Sequence, residues 1–231
     1  MIKRLFDILV SGLVLLVLLV PGLVIMLLLK LTGEGEVFYF QPRAGFLGKH
    51  FQVFKFATML VGSENMGNKD ITVRNDPRVT AVGRVLRKTK INELPQLINI
   101  FKGDMSIVGW RPLVPAGFAL YSDQVQEQIV KTKPGLTGIG SIVFRDEEYI
   151  IEKTTKEPRD CYQNDISPYK GQLELWYQKR QSFWMDMKVI VCTALVILLP
   201  NSNIYQRMFP DLPEPPHDGE IYRIRNLGSE N

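Results

Sequence analysis

Cysteine and histidine are scarce: the chain has two of each in 231 residues. Cys192 lies in an apolar run and Cys161 in a polar stretch, which argues against a disulfide framework. With His50 and His217 the only histidines, a zinc site is not expected either. No internal repeat is visible, and no small-x-small cleavage site follows the apolar N-terminal run, which is therefore read as retained. Acidic residues are the minority, 24 against 28 lysines and arginines, so the formal charge is +4 and the expected partners are anionic: phosphates, acidic lipid or nucleic acid. Nucleic acid drops out of that set, because no aromatic-basic single-strand motif is present. The length allows one domain with appendages, or at most two small domains.

Ile8 to Leu29 carries no charge. A spanning helix needs roughly 20 apolar residues, so the segment is long enough, and it exceeds the ~7–15-residue core of a signal peptide. Pro21-Gly22 interrupts it, and proline removes a helical hydrogen bond and bends the chain. Lys3 and Arg4 precede the segment and Lys30 follows it. Basic residues at both ends fit a hairpin that enters and leaves by one face; a kinked single span is the other reading.

Beyond this segment, Val37 to Gln41 and Phe51 to Phe56 are aromatic-rich and flank a glycine-containing loop, the pattern of a β-hairpin. Gly62 to Asp70 reads as a polar loop and Asp76-Pro77-Arg78 as a turn. Thr80 to Lys90 reads as a helix. Asn92 is placed to cap a second one, with Pro95 in its first turn, Leu94, Leu97, Ile98 and Phe101 on one face, and Gly103 at its end. Lys133 to Gly140 reads as a rigid turn followed by a flexible stretch, and Leu173 to Leu199 as one long helix. The last part of that helix, Val189 to Leu199, is too short to span and suits either the membrane interface or a core. From Pro200 the composition turns proline-rich, and 201–231 reads as a tail with little core of its own.

Charge is uneven. Arg74, Arg78, Arg84, Arg87, Lys88, Lys90 and Lys102 face only Asp76 and Glu93 between Arg74 and Lys102. Such cations can hold phosphate oxygens, or simply form a solvated or lipid-facing patch. Glu93 among them can help hold Mg²⁺ against a pyrophosphate, or be a surface ion pair.

Leu86 to Pro112, LRKTKINELPQLINIFKGDMSIVGWRP, closely resembles the signature of the bacterial sugar transferases, the monotopic polyprenyl-phosphate phosphoglycosyl transferases. Arg43 to Met59, Asp76 to Arg84, KPGLTG at 133–138, QSFWMDMKVIVCTA at 181–194 and Arg4 to Asp7 before the proline break extend the resemblance over about residues 1 to 200. The resemblance implies transfer of a phospho-sugar from a nucleotide diphosphate sugar, usually a UDP-sugar, to polyprenyl phosphate. The products are a polyprenyl diphosphate sugar and a nucleoside monophosphate, the first step of polysaccharide or lipopolysaccharide assembly. It also implies Mg²⁺ as cofactor, a re-entrant N-terminal helix broken at Pro21, and a location on the cytoplasmic face of the bacterial inner membrane. In the family an Asp-Glu pair carries the reaction, the Asp as nucleophile and the Glu with Mg²⁺. Here those positions are Asn92 and Glu93, and Lys55, Arg84, Arg87 and Arg111 are the implied phosphate contacts.

Several positions depart from the family pattern. An amide is a poor nucleophile, so Asn92 closes the aspartyl route and leaves three readings: direct attack by the lipid phosphate, a single engineered substitution, or an inactive relative that binds or scaffolds. Ala57, Trp110, Val20 and Gly140-Ser141-Ile142-Val143 also depart from the family's usual residues, whereas Asp104, Arg111 and Pro112 keep them.

The expected fold is α+β and predominantly helical, with a re-entrant membrane helix, a small β-hairpin and interfacial amphipathic helices. The expected organisation is an anchor at 1–31, a transferase domain at 32–200 and a tail at 201–231. Membrane lipid joins the nucleotide sugar and polyprenyl phosphate as a partner, and self-association is left open.

Overall fold

The structure, a computed structural model, describes residues 2–32, 34–66, 75–199, 202–217 and 219–227. Arg74 and most of the loop read at 62–70 lie outside the described residues. The protein is predominantly helical with two small sheets.

Helices α1 (Ile2–Val17) and α2 (Leu19–Thr32) form a pair bent by 61°. The bend sits at Leu18, not at Pro21, which lies in the first turn of α2. The proline is still its cause. Pro21 cannot donate to the carbonyl four residues back, and its ring crowds that same carbonyl, which belongs to Val17, the last residue of α1. Asp7 and Ser11 of α1 are buried against the rest of the protein, whereas Leu5, Leu9, Leu13, Leu16, Leu23 and Leu27 are exposed. This is the reverse of a water-soluble helix, which hides leucine and shows carboxylates. Among the described residues no single helix is long and apolar enough to cross a membrane.

Both ends of the bent pair are tied to the same folded body. Lys3 donates to the Val108 carbonyl and pairs with Asp186, and Arg4 donates to the Ile100 and Phe101 carbonyls at 2.6 and 2.8 Å. Asp7 Oδ1 accepts the Ile107 N–H at 3.0 Å. At the other end Leu29 is buried with Phe56 and Leu86.

Strands β1 (Phe38–Arg43) and β2 (Phe51–Phe56) form the expected antiparallel hairpin, with Tyr39 opposite Lys55 and Arg43 opposite Phe51. Thr80 caps α3 (Ala81–Lys88) by accepting the Gly83 N–H at 3.0 Å. Arg78, counted above among the cations, is buried, is paired with Asp76, and donates to the Ser63 and Met66 carbonyls. Asn92 does not cap the next helix. It lies in a 3₁₀ turn, Ile91–Glu93, and α4 (Gln96–Lys102) starts after Pro95 and ends at Gly103 with φ 100°. Nor is the buried face of α4 the expected apolar one: Gln96, Leu97, Asn99 and Ile100 point inward, and Phe101 covers Gly12 of α1. Asn99 explains the difference. Its amide accepts the Phe54 N–H at 3.0 Å and donates to the Gln52 carbonyl at 2.7 Å, standing in for a third strand at the edge of β2.

After β3 (Ser106–Val108) come α5 (Pro115–Phe118) and α6 (Asp123–Ile129), and then β4 (Gly135–Thr137), parallel to β3. Residues 133–140 are therefore not a turn and a flexible stretch. A β-carbon at Gly135 or Gly138 would overlap the main chain of Gly109, so these glycines allow two backbones to touch. Helices α7 (Ile139–Val143), α8 (Glu147–Lys153) and α9 (Pro158–Cys161) follow, and a π-type turn, Tyr162–Ile166, leads into α10 (Ser167–Arg180).

The long helix expected over 173–199 is two helices. The chain breaks at Gln181-Ser182, where Ser182 caps α11 (Phe183–Leu198) through the Met185 N–H at 3.1 Å. Asp186, Val189, Cys192 and Val196 line its buried face, while Trp184, 80% exposed, and Val191 and Leu198 face outward. Helices α12 (Ile204–Met208) and α13 (Glu220–Leu227) close the described chain. Phe209, Ile221 and Ile224 join the main core with Trp176, Ile150 and Cys161, so the tail packs into the body before it.

Candidate active site

Glu93 is the hub. Its Oε1 accepts from Arg111 Nη2 at 2.8 Å and lies 3.4 Å from Lys55 Nζ. Three local features converge there. Strand alternation on the hairpin puts Tyr39, Lys55 and Arg43 on one face. Lys90 adopts a left-handed conformation with φ 59°, so the chain turns sharply after α3 and presents Asn92 and Glu93 inward.

The third feature is the clamp on Arg111. Gly109 N–H donates to Thr137, Gly135 N–H donates to Trp110, and Ala44 N–H donates to Leu113. Arg43 Nη1 donates to the Pro112 carbonyl at 2.9 Å. Trp110, where the family usually has proline, is buried and donates its indole N–H to Thr132 at 3.0 Å.

Burial opposes the charge on Glu93, but Arg111, Lys55 and Lys90 together outweigh it and hold the carboxyl well below the usual carboxylate range. Burial lowers Lys55 to about 7, against the attraction of Glu93, and the neighbouring Arg43 and Arg111 add to the lowering. Burial and Arg111 bring Arg43 down to about 10. Glu93, the first cause, pushes Arg111 upward. Arg43, Lys55, Lys90 and Arg111 thus crowd one carboxylate, an excess of positive charge that a diphosphate would neutralise.

The implied site residues do not all gather here. Asn92, Glu93, Lys55 and Arg111 are together. Arg87 stands at the margin, 3.5 Å from Glu148 of α8, and Arg84 lies on the exposed face of α3. Asp104 pairs with Lys102 at 3.6 Å and lies 3.3 Å from Asn99 Nδ2, away from Glu93. Arg43 was not singled out from sequence, and Lys90 only as one of the seven cations between Arg74 and Lys102. Arg43 shares its strand face with Lys55, and that parity was the available signal.

Among the described residues no group of three or more His, Cys, Asp or Glu side chains gathers to hold a metal. Asn92 Oδ1, however, is buried next to Glu93 without a hydrogen-bond partner among the described residues. Mg²⁺ commonly takes one or two protein oxygens and fills its shell with water and substrate phosphates, so this donor set fits.

Residues 1–200 match the bacterial sugar transferase family. The undecaprenyl-phosphate galactose phosphotransferase of Salmonella typhimurium (strain LT2) is 34% identical over 212 residues, 85% of this chain and 40% of that protein. The undecaprenyl-phosphate glucose phosphotransferase of Komagataeibacter xylinus is 36% identical, over 83% of this chain and 35% of that protein. The chain therefore spans less than half the length of these two relatives. The uncharacterized sugar transferase EpsL of Bacillus subtilis (strain 168) is 34% identical over 86% of this chain and 88% of its own length. With its signature segments assembled around Glu93, this chain belongs to the bacterial sugar transferase family.

Proposed function

We propose that this protein transfers a phospho-sugar from a nucleotide diphosphate sugar, a UDP-sugar, to polyprenyl phosphate, yielding polyprenyl diphosphate sugar and a nucleoside monophosphate. The observation that carries this reading is the cluster of Arg43, Lys55, Lys90 and Arg111 around the single carboxylate of Glu93. Two phosphates fit such a charge imbalance, and their names in the Salmonella and Komagataeibacter relatives point to the lipid acceptor.

Arg111 and Lys55 bind the diphosphate and stabilise charge on the transferring phosphoryl group. Arg43 supports them from the hairpin, and Arg87 joins them by releasing Glu148. Glu93 orients Arg111 and Lys55, and with Asn92 Oδ1 it would hold Mg²⁺. Bound there, Mg²⁺ supplies further neutralisation of the diphosphate. Asn92 offers no nucleophile, so an oxygen of the lipid phosphate attacks the β-phosphorus directly. The bond from that phosphorus to the bridging oxygen breaks, and the mononucleotide leaves with the electron pair.

The bent pair α1–α2 serves as a re-entrant anchor that sets this site at the depth of the lipid head group, on the cytoplasmic face of the inner membrane. Two observations support the anchor: its apolar side chains point outward, and both of its ends attach to one body. The outer face of α11 rests at the same interface, where Trp184 is suited to lie.

The test of the reaction is mononucleotide release in detergent with Mg²⁺, polyprenyl phosphate and a panel of UDP-sugars. Release from at least one donor is expected. Binding of every donor without release would favour the scaffold reading that Asn92 raises. Cysteines placed at positions 2 and 34 test the anchor: both are expected to react with an impermeant reagent from the cytoplasmic side alone, and labelling from opposite sides would make the segment a span.

A further inference from the structure

Glu174 of α10 is not used by the mechanism above, yet it is one of the most buried charged-type side chains, 2% exposed. It makes no ion pair among the described residues; the cation beside it, Lys170, is paired with Glu147 instead. Its Oε2 is buried without a hydrogen-bond partner among the described residues. Its Oε1 fills the space where Gly140 lacks a side chain, 2.5 Å from the position a β-carbon would take. The main-chain N–H of Arg111 is directed at the same carboxyl. A carboxylate in this setting would leave a buried charge unpaired, which is far costlier than a buried neutral acid.

We propose that Glu174 is an un-ionised positioning residue that holds the main chain of Arg111 in place while the Arg111 side chain serves Glu93 and the diphosphate. The role in substrate binding rests on the function proposed above; the protonation of Glu174 does not.

Burial favours the neutral form, whereas the neighbouring cations Lys170 and Arg111 oppose it. The titratable groups that sense Glu174 are Tyr121 in the loop after α5, Tyr177 and Lys170 on α10 itself, and Arg111. Burial pushes the Glu174 carboxyl up to about 8, against the lowering effects of the Arg111 N–H, Lys170 and Arg111's charge. Gly140 belongs to the stretch that departs from the family pattern, and its missing side chain is what admits a glutamate here.

Two measurements test this. The first is thermal unfolding of the unliganded protein in detergent against pH. Between about 4.5 and 8 the native state keeps a proton that the unfolded chain has lost, so Glu174 makes stability fall as pH rises through that window. E174Q keeps the shape and cannot ionise, so its profile is expected to be flatter there. Identical pH slopes for the two proteins would overturn the claim of a neutral acid.

The second is binding of inorganic pyrophosphate by calorimetry at pH 6.5. E174A is expected to weaken binding by about tenfold and E174Q to restore most of it. A displaced contact group can cost up to about 10²-fold, and here the displacement is indirect. In the R111A background, E174A is expected to add nothing. A further loss in that background, or E174D rescuing where E174Q fails, would overturn the positioning role. Should the chain transfer no sugar at all, the unfolding profiles would still decide whether Glu174 holds its proton.

Discussion

Arg111 and Glu93 should be energetically coupled, and the size of the coupling follows from their geometry. Arg111 Nη2 to Glu93 Oε1 is 2.8 Å, a charge-assisted hydrogen bond of the kind worth about 1.5–3 kcal/mol. The Glu93 side chain is 13% exposed and that of Arg111 34%, so solvent screens one end and the expected value is about 2 kcal/mol. Arg111→Ala would leave the carboxylate with Lys55 at 3.4 Å as its only ion-pair partner among the described residues. Glu93→Gln would leave Arg43, Lys55, Lys90 and Arg111 crowded without their carboxylate. The two single changes should therefore cost more in sum than the double variant. A cycle of Arg111→Ala, Glu93→Gln and the double variant, read by unfolding in detergent, should show non-additivity of about 2 kcal/mol. At this chain length that corresponds to roughly 4–8 °C in Tm. Transfer activity should fall by about 10²–10³-fold for Arg111→Ala, the usual loss when a preorganised phosphate contact is removed. Additivity within about 0.5 kcal/mol would refute the reasoning, because it would mean the two groups do not sense one another.

Lys55, lowered to about 7 by burial, should be largely neutral at pH 8.5 in the free protein and recharged by a bound anion. Binding of UDP should then take up close to one proton at pH 8.5 and little at pH 6, measurable by calorimetry in buffers of different ionisation heat; Lys55→Met should abolish the uptake. Truncation after residue 200 removes Phe209, Ile221 and Ile224 from the core. At about 1.5–3 kcal/mol for each buried side chain, the shortened protein should unfold at markedly lower temperature; an unchanged Tm would mean the tail does not pack in solution. Gly135→Ala should prevent folding or lower yield sharply, since its β-carbon meets the Gly109 backbone, whereas Gly48→Ala, with open space around it, should cost only the strain of φ 74°.

How much of this was legible beforehand depended on the kind of signal. The hairpin followed from two short aromatic-rich runs, and a helix was read over 80–90 where α3 lies, because both signals are local. The break between α10 and α11 was missed although Ser182 marks it; the apolar residues on both sides overrode a single capping residue. Strand β4 was missed because its partner β3 lies 29 residues earlier, and glycines that look flexible in sequence are here the means of close packing. The face of α4 was misassigned for a tertiary reason: Asn99 is buried to satisfy β2, and hydrophobic periodicity cannot register a buried amide. Of the site, Glu93 stood out as a lone carboxylate among cations. Lys55 and Arg111 came through the family resemblance. Arg43 came from neither, since its role depends on which face of the hairpin meets the turn at 91–93. Glu174 carried no local signal at all; only its burial beside Gly140 and Arg111 distinguishes it.

The central claim is that this site moves a phospho-sugar to a lipid phosphate without a protein nucleophile at Asn92. It is tested most directly by following radiolabelled UDP-sugar with and without polyprenyl phosphate, in the wild-type protein and in Glu93→Gln. The account predicts mononucleotide and polyprenyl diphosphate sugar in equal amounts, only when the acceptor is present, and loss of both in Glu93→Gln. Stoichiometric mononucleotide release without acceptor, or transfer that appears only in Asn92→Asp, would contradict it.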